Sequence, residues 1–330
     1  MKVSLKDIVK YLLTIGITVL LLWFAFRGIS WDDMIDGFAR CNWWWIAASM
    51  AVGWAVVVSR GCRWRLMMQP ISAELTSLEC YDAYNVCYLA NLAVPRSGEL
   101  VRCAMLARTG KISFQQAAGS MALERTWDLL SAFLIGLGMV LFTRFGTFLL
   151  DDMWKPFAES LSFNAVWLVV GLCALLGVSI WAIFHFRNRY AFVRKIWDFL
   201  AGLGGGIRAG FAMKHKIPFF LHTVFIWVMY WLQVLFVIYA FPDMQQLNAS
   251  DAFFVMMVGS LGWIVPVQGG FGAYHFLVAM ALVPVYGIEQ HTGLIFATIS
   301  HESQLLQMLV CGIVSLITFF LIWGRRRNLL

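Results

Sequence analysis

The chain has 330 residues, of which 61% are hydrophobic and only 13% charged, with 16 Trp and 27 Phe. Soluble globular domains carry about 25% charged residues, so this composition excludes them and specifies a polytopic, all-α integral membrane protein. The formal net charge of +7 is informative only through the loops in which the cations fall.

Apolar runs at 8–26, 43–59, 120–143, 164–186, 217–241 and 303–323 each approach the ~20 residues that cross the hydrocarbon. They predict about six full transmembrane helices. No small-residue cleavage site follows the first run, which is therefore expected to be a retained helix rather than a signal peptide. Six crossings put both ends on one side. Of the 25 Lys and Arg, only Arg27, Arg40, Arg144 and Lys155 fall in the opposite loops, and Arg125 falls within the membrane. The rest share the side of the termini, which the positive-inside rule makes cytoplasmic. The basic excess thus reports orientation, and no nucleic-acid partner is needed to explain it.

Two other apolar regions are broken by Pro and Gly. Residues 77–93 approach Pro95 and 99–107 leave it, while 252–265 approach Pro266 and 271–286 leave it. Each pair is predicted to be a re-entrant helical hairpin, at about 77–107 and 252–286. Backbone can leave its helix at membrane depth only where protein or a water-filled cavity satisfies it, so the two breaks point to a shared internal site. In the predicted topology the hairpins start from opposite sides, which is the pattern of an inverted repeat. Aligning Leu129-Leu130 with Leu305-Leu306 sets Arg125 against His301 and Glu124 against Ser300. The expected organisation is a first half at 1–186, a basic Gly-rich cytoplasmic linker at 187–216 and a second half at 217–330. The stretch from Tyr190 to Leu200 either lies on the inner leaflet or is an ordinary solvated loop.

The polar residues within this apolar background are the candidate site. Glu124, Arg125 and Asp128 share a helix at spacings that let them pair, and ionisable groups at membrane depth are functional candidates by default. A structural ion cluster is the other reading. Arg96 and Arg102 flank the first break, where guanidinium forks suit a phosphate and freed N–H groups near Gly98 would add anion affinity; positive-inside anchoring is the other reading. Gly269, Gly270 and Gly272 allow positive φ or close approach. His275, His301 and Glu302 complete the set, as proton carriers, phosphate contacts or hydrogen-bonded packing residues. By themselves those three lack the ligands of a metal site, so neither a metal nor a cofactor is expected. The scattered cysteines form no CxxC pair and read as reduced packing residues. No nucleophile elbow, P-loop or HExxH motif marks a catalytic centre, and no catalytic residue is assigned.

The run from Asn91 through Pro95, Arg96, Gly98, Glu99 and Arg102, followed by Glu124-Arg125-Thr126-Trp127-Asp128 and by Pro266 to Tyr274, resembles the lysylphosphatidylglycerol synthase transmembrane-region family, which includes the flippase portion of the multiple peptide resistance factor. The resemblance implies a bacterial inner-membrane protein that moves a lipid, or a lipid-linked intermediate, between leaflets. It adds Asn91, Pro95 and Glu99 to the candidate substrate-binding residues. This chain departs from the resemblance at two positions: His275 stands where relatives carry Glu, and His301 where Arg is common. Bifunctional relatives also carry a soluble aminoacyl-transfer domain, whereas this sequence stops at Leu330, so lysyl transfer is not expected. The implied function is a flippase for an anionic, phosphate-bearing lipid. The implied partners are the membrane lipid, the bilayer and an envelope biosynthesis enzyme, with the oligomeric state open. Alternatives are an intramembrane lipid-modifying enzyme and a non-transporting accessory subunit.

Overall fold

A residue that precedes proline is pushed out of the α region by the pyrrolidine ring, and this rule sets the two main interruptions of the chain. In the computed structural model, helix α4 (Ser77–Ala93) ends at Val94, which is extended at φ −134° and ψ 117° before Pro95. Helix α9 (Asp251–Ile264) ends likewise at Val265, with ψ 134°, before Pro266. The structure describes residues 5–27, 29–156 and 213–327, with scattered helical positions between 171 and 198.

Before the first break come α1 (Leu5–Phe26), α2 (Trp31–Arg40) and α3 (Trp43–Met68). A capping box opens α2, with the Asp33 N–H donating to Ser30 Oγ at 3.1 Å and the Ser30 N–H donating to Asp33 Oδ2 at 3.1 Å. The chain turns by 79° between 15–26 and 31–40. After the break, α5 (Gly98–Arg108) folds back on α4, and α6 (Phe114–Phe142) follows. A short turn, α7 (Arg144–Thr147), leads into a π-helical segment at Phe148–Trp154. The described chain then resumes with α8 (Lys216–Ala240), α9, a 3-10 turn at Gln268–Gly270, α10 (Ala273–Tyr286) and α11 (Gln290–Arg327).

Among the described residues, five helical stretches are long and apolar enough to cross a membrane: Trp43–Met68, Phe114–Phe142, Lys216–Ala240, Gln268–Tyr286 and Gln290–Leu321. Helix α1 covers the first expected run. The run expected at 164–186 and the glycines of the linker lie mainly outside the described residues. The stretch 271–286 is expected as the return arm of a dipping hairpin, yet together with the turn at 268–270 its length alone satisfies a full span. Its backbone does not: Gly269, Gly270 and Gly272 hold φ of +53°, +77° and +75°, so continuous helix begins only at Ala273. The 14 residues of α10 rise about 21 Å, short of the ~30 Å hydrocarbon. The same arithmetic applies to α9 with 14 residues, α5 with 11 and α4 with 17.

The chain divides into two compact units, Met1–Met121 with Ile217–Leu330, and Ala122–Lys216. In the first, α11 packs along α4, α10 and α3, so one long helix backs both broken pairs. Small residues let these backbones close. A Cβ on Gly61 of α3 would lie 2.8 Å from Tyr81 Cα, and one on Gly312 of α11 would lie 2.7 Å from Leu89 Cβ. Polar pairs fix the register, since Asn85 Nδ2 donates to Ser315 Oγ at 3.0 Å and Trp54 Nε1 donates to Tyr81 Oη at 2.9 Å.

Candidate functional site

Each hairpin is closed by a glycine whose missing side chain is filled by its partner helix. In the first, Gly98 at the start of α5 sits against the Cys87 backbone of α4, whose carbonyl carbon would be 2.8 Å from an added Cβ. In the second, Gly262 of α9 sits against Tyr274 of α10, whose Cα would be 2.6 Å away. The Gly98 N–H was expected to be open to an anion. Instead it donates to Asn91 Oδ1 at 2.8 Å, because a buried helix start needs its orphan donors satisfied. Asn91 therefore serves as the internal cap of the first tip. Glu99 follows in the first turn of α5, half-buried, where a carboxylate complements the helix dipole.

The two tips meet. Arg96 is exposed and holds φ +61°, the sole positive φ among the described non-glycine residues. Its Nη2 donates at 2.7 Å to the carbonyl of Ile264, the last residue of α9. Leu92, at the end of α4, lies beside Gly269, whose added Cβ would be 3.1 Å from Leu92 Cδ2. Arg102 is placed differently from a headgroup ligand. Its side chain is fully buried, with the guanidinium 4.6 Å from the Trp64 ring centre and 4.5 Å from that of Tyr84. Cation–π contacts of this kind hold α5 to α3 and α4. No local sequence pattern announces this pocket, because Trp64, Tyr84 and Arg102 come from three different helices.

The second tip carries the polar cluster. His275 on α10 and His301 on α11 are 1% and 0% exposed, and their ring centres lie 4.8 Å apart at 65°. His301 Nε2 lies 2.8 Å from the Gly269 carbonyl, and its Nδ1 lies 3.2 Å from Glu302 Oε1. His275 Nε2 lies 3.4 Å from the same Glu302 oxygen. A carbonyl only accepts, so Nε2 of His301 carries the proton. Trp263, Phe271 and Tyr274 wall His301 at ring-centre distances of 5.1, 5.3 and 5.1 Å. Tyr274 Oη is anchored to Ser300 Oγ at 2.9 Å. The positive φ expected at Gly269, Gly270 and Gly272 is present at all three. The structure makes the Gly269 carbonyl itself a ligand of His301, and it aims that carbonyl with a positive φ that glycine adopts without strain.

Glu124, Arg125 and Asp128 belong to the other unit. Glu124 is fully buried and Asp128 is 9% exposed. Arg125 Nη1 lies 3.8 Å from Asp128 Oδ2 across one helical turn, with the arginine side chain 44% exposed. The expected local pairing on one face of α6 is therefore present.

Long apolar helices and short broken arms whose tips are held by internal polar contacts define an all-α polytopic membrane protein. Within that class the assignment is specific: the family model described as lysylphosphatidylglycerol synthase TM region matches residues 11–312, and the chain belongs to that family. No curated protein and no solved structure matches the chain.

Proposed function

We propose that this protein is a lipid translocase of the bacterial inner membrane, with both termini cytoplasmic, that carries an anionic, phosphate-bearing lipid or lipid-linked intermediate between leaflets. The observation that carries the reading is the contact between the two Pro-Gly tips, Arg96 to the Ile264 carbonyl. Four arms too short to cross the hydrocarbon meet end to end, as two hairpins dipping from opposite faces would. An inverted repeat with a central site would produce this geometry, and membership of a lipid-related membrane family supports it.

In this reading Arg96 is the headgroup-binding cation. A guanidinium has five N–H donors, so one bond to Ile264 leaves a fork for a phosphate. An incoming headgroup that competes for Arg96 would loosen the tip contact, which couples binding to opening. Glu99 positions the first tip, and the His275–His301–Glu302 cluster forms the counterpart on the second. Glu124, Arg125 and Asp128 form a further charge group in the second unit. The tails stay in lipid, because drawing them into water would cost ~0.8 kcal/mol per CH₂.

The test is lipid exchange in proteoliposomes, followed with a headgroup-labelled anionic lipid and with mass spectrometry of the recovered lipid. Exchange should fall at least tenfold in Arg96→Ala and in Glu99→Ala, with the lipid chemically unchanged. If both variants fold and exchange lipid at the wild-type rate, the tip site is not the pathway. A chemically altered lipid would turn the assignment to an enzyme. Arg125→Ala, assayed separately, reports the contribution of the second unit.

A further inference from the structure

Glu302 and His301 face each other in a way that requires a cation between them. Because His301 Nε2 donates to Gly269 at 2.8 Å, the neutral ring has its lone pair on Nδ1. That lone pair points at Glu302 Oε1 from 3.2 Å, and an ionised carboxylate offers only further lone pairs. Two acceptors at hydrogen-bond distance repel unless something positive sits between them. His275 Nε2 converges on the same oxygen from 3.4 Å, and His275 Nδ1 is buried without a hydrogen-bond partner.

We propose that His275, His301 and Glu302 form a binding site for a divalent transition-metal cation of the zinc class. Two imidazoles and one carboxylate are a donor set that zinc takes in open, four-coordinate sites. With metal–ligand bonds of about 2.0–2.1 Å, tetrahedral ligand atoms stand about 3.3 Å apart, close to the 3.2 and 3.4 Å found here. One ligand atom from each of the three residues falls within 4.8 Å of the others, so binding would draw the two imidazole nitrogens together by up to about 1.5 Å. The hydrogen bond from His301 to the Gly269 carbonyl is the kind that orients a metal-bound histidine through its second ring nitrogen. The aromatic wall of Trp263, Phe271 and Tyr274 would limit solvent around the ion. A fourth position is left for water or an anionic oxygen. The cation would clamp α10, α11 and the second tip together.

The experiment uses the full chain in detergent with any affinity tag removed. Titration with Co²⁺ should give the intense visible bands of a tetrahedral site at one equivalent, and Zn²⁺ should displace them. Glu302→Gln and His301→Gln should each weaken Co²⁺ binding at least a hundredfold, beyond the about 10–100-fold typical of changes around a metal's ligands. Absence of a saturable band in folded wild-type protein would overturn the proposal and assign the position to a proton. Equal Co²⁺ binding by wild type and both variants would overturn it by locating the ion elsewhere. Both readouts are independent of lipid exchange, so they separate this site from the translocase assignment.

Discussion

Gly262→Ala measures how tightly the second hairpin is shut. The added Cβ would lie 2.6 Å from Tyr274 Cα, 3.0 Å from its N and 3.2 Å from its Cβ. All three atoms are main chain or rooted in it, so no side-chain rotation gives relief. Carbon–carbon contacts are optimal at about 3.5–4.0 Å, which means that α9 and α10 must part by roughly 0.9 Å near the site. Overpacking of this size costs about 1–3 kcal/mol. The opening should lower the melting temperature in detergent by roughly 2–8 °C, read by tryptophan fluorescence. The control is Gly138→Ala, inside α6 near its C-terminal end, where nothing lies within 4 Å of an added Cβ and the helix gains about 0.5–1 kcal/mol from alanine. If Gly262→Ala melts at or above the temperature of Gly138→Ala, the two arms do not touch as described. Gly98→Ala should behave as Gly262→Ala does, because its obstacle is the Cys87 backbone.

Arg96 holds a left-handed conformation at φ +61° that costs a residue with a Cβ roughly 1–2 kcal/mol. Arg96→Gly should therefore be about 1 kcal/mol more stable than Arg96→Ala, although both lose the bond to Ile264; equal or reversed melting temperatures would refute the strained tip. Cys41, which lies between α2 and α3, is 6% exposed, and burial pushes its thiol up to about 11. Because the raised value keeps the thiol protonated, maleimide labelling of Cys41 should be slow at pH 7.4 and should still be climbing at pH 10; a plateau near the ordinary thiol value of about 8.5 would contradict the burial. For the histidine pair, a double-mutant cycle of His275→Glu and His301→Arg should show coupling of about 0.5–3 kcal/mol, with the double variant more stable than the sum of the singles predicts. Strict additivity would mean that the two positions do not sense each other.

What was legible in the sequence is what short-range chemistry decides. Pro95 and Pro266 break their helices because sterics act on the residue immediately before, and the long apolar runs form helices because a helix satisfies all its backbone groups within one segment in lipid. The pairing of Arg125 with Asp128 followed from one helical turn. The candidate site was legible only as a list of residue types. Asn91 was expected near a ligand but caps Gly98, and Arg102, a candidate phosphate cation, is enclosed by Trp64 and Tyr84. Those outcomes depend on which helices become neighbours, and apolar patterning says little about neighbours where every face is apolar. Aligning the halves set His301 against Arg125, yet His301 is fully buried with both nitrogens engaged, while the Arg125 side chain is 44% exposed.

The departures from the family pattern show most clearly what tertiary contact adds. His275 and His301 stand where the resemblance implies Glu and Arg, and in sequence they are two unrelated exceptions. In the structure their rings touch, at 4.8 Å between centres, and both reach one oxygen of Glu302. A Glu–Arg pair in that position would balance its own charge. Two imidazoles beside Glu302 fix no such balance, and in the proposed metal site a bound cation would complete it. The two departures therefore fall in one place, around a single oxygen of Glu302.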